Sequence, residues 1–311
     1  GYEGKDAWPE FQAYTEAIDA LPPGRVMWEA ASSDYGKFGT PLALMLTPYF
    51  SEEHPSMEGL FFESSLTTPF HFLNASEVSA SPSNPKAGLD YGPFDLERAL
   101  PHLALYDVRY YVAWSERAIE AARDNDAYTE LGPAGPWTVF ELPDAQLVDI
   151  ATHQPVVYDG TLSDEDWAVE WYGYDDASEL DLWVTADGPE EWRRVTEVAD
   201  RQQARRPYDI TGARVTNIVM EDHDHRVSFS TNAVGVPHLV KVSYFPNWTA
   251  TGADGPYRVA PSLMVVVPTE ENVVLQFERK SAEIIGMALS IGSLLGLAGW
   301  AVWRRRRGSA A

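Results

Sequence analysis

Ile284 to Trp303 reads IIGMALSIGSLLGLAGWAVW, twenty residues without a charge. At 1.5 Å rise per residue such a helix spans about 30 Å, the thickness of a bilayer's hydrocarbon core. The run predicts a transmembrane helix over 284–303. Trp300 and Trp303 stand where interfacial aromatics gather, and Arg304, Arg305, Arg306 and Arg307 follow at once. The positive-inside bias therefore places the basic tail, 304–311, in the cytoplasm and the preceding residues outside. A buried core helix is the alternative, but core helices rarely run so long without a charge and end in four arginines. Gly292 and Gly296 enclose Ser293, a pattern that permits close helix packing. The bilayer and upstream membrane helices of the same protein are thus the expected partners of this segment.

The remaining length, out of 311 residues, has room for about two domains. With 45% hydrophobic and 23% charged residues it has the composition of a folded chain. Net charge is −24; with Lys280, Glu283 and the four arginines set aside, 18 basic residues face 46 acidic ones over 1–279, a net of −28. Such a body repels polyanions and carries no basic stripe, so nucleic acid is excluded as a partner. There is no Cys, hence no disulfide, thiolate nucleophile or Cys-held zinc. The first thirty residues lack the charged and apolar regions of a signal peptide, so the sequence is expected to begin inside a longer protein.

The expected fold class is α+β. Over 1–148 helices and strands alternate as an α/β subdomain. Asp6 is expected to cap a helix with Pro9 in its first turn, stopped by Pro22-Pro23-Gly24, before a strand over 25–29. Asp95 caps a second helix in which Leu96, Leu100, Leu103 and Tyr106 keep helical spacing despite Pro101, and 108–114 reads as a buried strand. Ser115 opens a third helix reaching about Ala127, and 128–141 reads as a hairpin closed by Gly132-Pro133-Ala134-Gly135-Pro136. Residues 47–93, rich in Pro, Ser and Asn, are expected to form long surface loops. Over 149–280 short alternating runs at 156–158, 181–184, 226–229, 239–245, 263–267 and 273–277 predict an antiparallel β-sandwich. It is expected to pack on the membrane-proximal side.

Catalytic signatures such as G-x-S-x-G, the Walker loop, G-x-G-x-x-G and H-E-x-x-H are missing, and no cofactor is expected. In Glu221-Asp222-His223-Asp224-His225, two His at strand spacing would point the same way and share a metal, although a charged run before a strand also reads as a solvated turn. Glu63, flanked by apolar residues, reads either as a desolvated acid-base carboxylate or as a hydrogen-bonded buried one. Aromatics make up 12% of the chain, and exposed rings offer stacking faces to sugars. The segment 237–248, PHLVKVSYFPNW, ends a strand in a Pro-containing loop that delivers rings outward. Glu63, His238, Tyr244 and Trp248 are therefore the ligand-binding candidates, and a glycan or polyprenyl-linked sugar is the expected ligand. Asn74-Ala-Ser and Asn247-Trp-Thr match the glycosylation sequon.

PHLVKVSYFPNW (237–248), GADGPYRVAPSLMVVVP (252–268), ALYDVRYYVA (104–113) and GLFFESS (59–65) resemble the C-terminal outside portion of multipass proteins called 6-pyruvoyl-tetrahydropterin synthase-related membrane proteins, which are similar to the YfhO-like membrane proteins. The resemblance implies a glycosyltransferase of the C type, in which an upstream helix bundle binds a polyprenyl-phosphate sugar and an outside domain assists. It also implies that the catalytic acid lies in an early outside loop that this chain lacks. A literal pterin synthase would hold zinc with three His, including an H-x-H pair, and would use a Cys. Here His223 and His225 match only the pair, the next His upstream is His153, and there is no Cys.

Overall fold

The structure, a computed structural model, describes residues 2–57, 67–143, 145–173, 180–221 and 225–308. Helix α1 (Trp8–Asp19) starts with Pro9 in its first turn, where a missing N–H costs nothing. Ala7, not Asp6, occupies the N-cap, and no side chain caps it. Strand β1 (Arg25–Trp28) follows, then the short α2 (Thr47–Phe50) and α3 (Thr68–Val78). In α3 every residue from Pro69 to Val78 except Phe72 is buried, which corrects the expectation of surface loops across this stretch. A helix enclosed on all sides has no apolar stripe, so TPFHFLNASEV carries none of the periodicity that betrays an amphipathic helix. Helix α4 (Leu96–Leu105) is capped by the Asp95 carboxylate, which accepts from the Glu97 and Arg98 backbone N–H groups at 3.0 and 3.1 Å. Strand β2 (Val108–Ala113) leads to α5 (Glu116–Arg123), which Ser115 caps and which ends four residues before the expected Ala127. The hairpin of β3 (Thr129–Ala134) and β4 (Trp137–Glu141) turns at Gly135-Pro136, so Gly132 to Ala134 belong to the strand. Gly135 has φ +60°, and a Cβ there would meet the Glu10 carbonyl oxygen of α1 at 2.4 Å, so both conformation and space require glycine.

These four strands order as β1-β2-β4-β3, with β1 parallel to β2 and the rest antiparallel. Alternation sends Val26, Trp28, Tyr110 and Val112 to one face, against Phe11, Tyr14 and Ile18 of α1. Met27, Tyr111 and Ala113 go to the other face, against α3, α4 and α5.

The second half comprises β5 (Val148–Ile150), β6 (Val156–Tyr158), α6 (Asp164–Tyr172), β7 (Val184–Thr185), β8 (Arg194–Val195), β9 (Val215–Glu221), β10 (Arg226–Thr231), β11 (His238–Val240), β12 (Trp248–Thr251), β13 (Ala253–Val259), β14 (Leu263–Pro268) and β15 (Asn272–Phe277). A four-stranded antiparallel sheet, β12-β15-β10-β9, faces a seven-stranded sheet, β5-β11-β14-β13-β7-β6-β8. Val227, Phe229, Val273 and Leu275 from the first meet Val148, Val240, Met264 and Val266 from the second in one apolar layer, the interior of a β-sandwich. The larger sheet is not wholly antiparallel: β6 pairs parallel with β7 and β8, because α6 supplies the crossover that parallel neighbours need. The strand expected over 239–245 stops at Val240. There Lys241, 2% exposed, turns inward and donates from Nζ to the Ala104 carbonyl and to Asp149, each at 2.8 Å.

The outer face of that sheet is buried too. Leu239, Leu263 and Val265 join Leu73, Leu103, Trp171 and Tyr111 in a single core, so the helices α3, α4 and α6 are the layer that both sheets share. Two polar anchors sit in this construction. Glu29, 1% exposed, accepts from the Trp114 and Ser115 backbone N–H groups and the Ser115 hydroxyl at 2.8, 2.8 and 2.7 Å, and from Ala80 N–H at 3.2 Å. Glu77, 2% exposed, contacts His102 Nδ1 at 2.8 Å and Arg98 Nε at 3.1 Å.

After β15 the chain enters α7 (Ser281–Gly308). The stretch Glu283–Trp300 is long and apolar enough to cross a membrane, and none of it is buried against the rest of the protein. The core-helix alternative does not describe it, since Leu289, Leu294 and Leu295 are each about two-thirds exposed.

Candidate functional site

Tyr244, Phe245 and Pro246 follow β11 in a loop, with Tyr244 packed against the edge of the sandwich's apolar layer. The Tyr244 backbone N–H donates to the Ser262 carbonyl at 2.8 Å, which fixes the start of the loop. The Phe245 carbonyl accepts from the Trp248 N–H at 3.1 Å, and the Phe245 ring is half exposed, at 49%. Together with Phe70 of α3 these residues wall a cleft of about 630 Å³.

The opposite wall is charged. It consists of Ser163, Asp164 and Glu165 at the start of α6, Ala186 and Asp187 after β7, and Arg258 of β13. Ser163 caps α6 by accepting from the Asp166 N–H, and its hydroxyl donates to the Asp166 carboxylate at 2.6 Å. That reciprocal cap settles where the helix begins and so where Asp164 stands. Asp164 accepts from Arg258 Nη1 at 2.5 Å, with the Arg258 side chain 13% exposed, while Glu165 pairs with Lys86. Ala186 N–H donates to the Arg258 carbonyl at 2.9 Å, which sets Asp187 beside the same strand. Among the described residues, no hydrogen bond or ion pair engages the Asp187 carboxylate, and partial burial alone raises its pKa. The Tyr244 hydroxyl is also held above its ordinary pKa, first by burial and then by the Asp187 and Asp164 charges, against the opposing pull of Arg258. One phenol, two carboxylates and one guanidinium thus face each other beside exposed aromatic surface. Such an arrangement can stack an apolar ring face while accepting and donating to hydroxyl groups.

A second cavity, of about 610 Å³, lies between α4, β5 and Trp183. Its lining is largely apolar, and its Asp149 is already held by Lys241.

Of the described residues that the sequence singles out, Tyr244 alone lines the first cleft. Trp248 sits at the start of β12 and packs edge-on against Phe277 at 5.6 Å. His238 is fully buried; its Nδ1 lies 2.8 Å from the Val236 carbonyl and its Nε2 2.8 Å from the Thr231 hydroxyl, and its ring stacks on Phe229. With both nitrogens engaged inside the sandwich, it does not line the cleft. His225 lies exposed at the start of the hairpin strand β10, at φ +47°. Glu63 and His223 lie outside the described residues. Among the described residues no group of three or more His, Cys, Asp or Glu is placed to hold a metal ion. Neither sequon presents its amide: Asn74 is fully buried and accepts from the Tyr172 hydroxyl. Asn247, 6% exposed, donates to Glu278 O and Glu283 Oε2.

Sequence reasoning missed Asp164, Asp187, Arg258, Phe70 and Phe245. The signal for α6 was present in Ser163-Asp-Glu-Asp166, a helix-start pattern, but convergence of Arg258 and Asp187 depends on the β13–β7 pairing of Val259 with Thr185, which no local pattern encodes.

Burial holds the His238 imidazole below its ordinary pKa. The unfolded chain therefore binds the proton more readily, so this contribution to stability is present above about pH 6.5 and is lost as pH falls below it. His54, buried beside Ser51 and the Pro22 carbonyl, is lowered in the same direction. Unfolding midpoints measured from pH 8 down to pH 5 are expected to fall on the acid side, and more shallowly in His238→Gln; an unchanged slope would discount His238 as a source.

Compared with protein-family models, curated proteins and solved structures, the chain matches none.

Proposed function

We propose that the folded body lies on the extracytoplasmic side of a membrane, carried by α7, and binds a glycan in the cleft between Tyr244-Phe245 and Asp164-Asp187. In this reading the chain is the C-terminal part of a multipass glycosyltransferase-like protein of the C type. The body assists by holding an acceptor sugar while the reacting groups lie upstream. The carrying observation is the meeting of the half-exposed Phe245 ring and the Tyr244 phenol with a carboxylate, Asp187, that no described residue engages and a nearly buried guanidinium, the combination that ring stacking and hydroxyl recognition require. Four arginines at the far end of α7 against Arg279 and Lys280 at the near end support a cytoplasmic C-terminus. The strongly acidic body agrees with a neutral or cationic ligand and not with a nucleic acid.

The test is titration of the detergent-solubilised chain with a panel of neutral and amino sugars and short oligosaccharides. Saturable binding is expected, and Asp187→Ala or Phe245→Ala is expected to weaken it at least tenfold, which corresponds to about 1.4 kcal/mol. Absence of saturable binding, or binding indifferent to both substitutions, would remove the cleft from the function. Protease accessibility of the body from outside intact cells tests the sidedness.

A further inference from the structure

We propose that the end of the β-sandwich nearest α7 is a lipid-contact surface, with Phe245, Trp248, Phe277 and Met220 seated in the headgroup layer of the bilayer that α7 crosses. The inference rests on the membrane-anchored reading above; Phe245 borders the cleft of that reading, while Trp248, Phe277 and Met220 lie outside it.

Connectivity carries the argument. Only Glu278, Arg279 and Lys280 separate β15 from α7, a reach of at most about 11 Å even fully extended. The link has no slack. Glu278 N–H donates to the Asn247 carbonyl at 2.9 Å, the Asn247 amide donates to Glu278 O and Glu283 Oε2 at 2.8 and 2.9 Å, and Lys280 N–H donates to Glu283 Oε2 at 2.8 Å. The first turn of α7 is thereby bonded to the residue that precedes β12, and sandwich and helix meet at a fixed joint.

Register then determines which residues share that level. Phe277 pairs with Trp248, Gln276 with Arg226, and Arg226 with Glu221, while Val227 pairs with both Leu275 and Met220. The ends of β15, β12, β10 and β9 nearest the helix therefore form one rim. It is aromatic where it meets the joint: Phe277 lies 5.8 Å from Phe245, 5.6 Å from Trp248 and 6.1 Å from His225. Phe245 and Met220 are 49% and 44% exposed, an apolar display that water does not favour and that the headgroup layer does. That layer is roughly 5–7 Å deep on each side of the hydrocarbon core, within reach of the three-residue link. Arg279 and Lys280 stand at the level of lipid phosphates, while the acidic remainder of the body is repelled from an anionic surface, which confines contact to the rim.

The absence of cysteine makes the test direct. Nitroxides are attached to Phe245→Cys, Met220→Cys, Glu270→Cys and Leu295→Cys in the whole chain, reconstituted in nanodiscs of phosphatidylcholine and phosphatidylglycerol. All four positions are exposed, so labelling leaves the core intact. Glu270 precedes β15 at its far end, roughly 17 Å away along the strand. Collisional access to oxygen is expected to exceed access to a water-soluble nickel chelate at 245, 220 and 295, with the order reversed at 270. Chelate access at 245 and 220 equal to that at 270, with 295 still in lipid, overturns the proposal and leaves the anchored reading standing. Nitroxides at 245 and 220 shielded from both reagents overturn it in favour of a protein partner on the rim. A chelate-accessible nitroxide at 295 overturns the anchored reading and this proposal together.

Discussion

Glu29→Ala is expected to cost the fold about 3–5 kcal/mol, the range for removing one partner from a buried, charge-assisted network. The carboxylate follows β1 and accepts from Trp114 N–H and Ser115 N–H where β2 gives way to α5, from the Ser115 hydroxyl, and from Ala80 N–H where α3 has ended. Three chain segments far apart in sequence thus converge on one side chain. Removing it leaves buried N–H groups without acceptors, each worth about 1–3 kcal/mol when orphaned. It also frees the Ser115 hydroxyl, which caps α5 by accepting from Ala118 N–H, from its orientation. Glu29→Gln keeps the volume and one oxygen but presents an amide donor to donors, so an intermediate loss is expected. Urea denaturation of the detergent-solubilised chain followed by tryptophan fluorescence gives both values. A loss under about 1 kcal/mol in Glu29→Ala, the size of an ordinary surface change, would refute this role.

Glu29 also marks the limit of what the sequence discloses. Capping residues announce themselves locally, as Asp95, Ser115 and Ser163 do, because the acceptor and the helix it starts are adjacent in the chain. Amphipathic spacing found α1 and α4, and period two found β15, because each of those elements has one wet side or an alternating burial pattern. Helix α3 escaped because it has no wet side, and the expected Asp6 cap failed because Pro9 already sets the first turn. In the cleft, Tyr244 was legible from its place before Phe-Pro, whereas Asp187 and Arg258 acquire meaning only through strand pairing across 70 residues of chain. His238, in the same segment but six residues earlier, belongs to β11 and packs into the sandwich against Phe229.

Glu77→Ala is expected to be equally damaging, about 3–5 kcal/mol, and to reach the cleft. Glu77 closes α3. Its backbone carbonyl accepts from Asp95 N–H at 2.9 Å, at the cap of α4, and its carboxylate faces Arg98 and His102 on that helix. His102 in turn places Nε2 3.1 Å from the Tyr172 carbonyl and stacks on the Tyr172 ring at 4.1 Å, while the Tyr172 hydroxyl donates to Asn74. The ring is 1% exposed, and both of its nitrogens have partners inside the protein. Without Glu77 the partly buried Arg98 guanidinium loses its counter-charge and the buried His102 Nδ1 loses its partner. Tyr172 is the last residue of α6 and Asp164 the first, so the stack that pins one end of this short helix positions the carboxylate that pairs with Arg258 at the other. Loss of stability in Glu77→Ala should therefore be accompanied by weakened sugar binding even at temperatures where the variant remains folded. His102→Gln, which retains a donor but not the stack, should show a smaller version of both effects. If Glu77→Ala unfolds early yet binds with unchanged affinity while folded, the network supports the core without shaping the cleft.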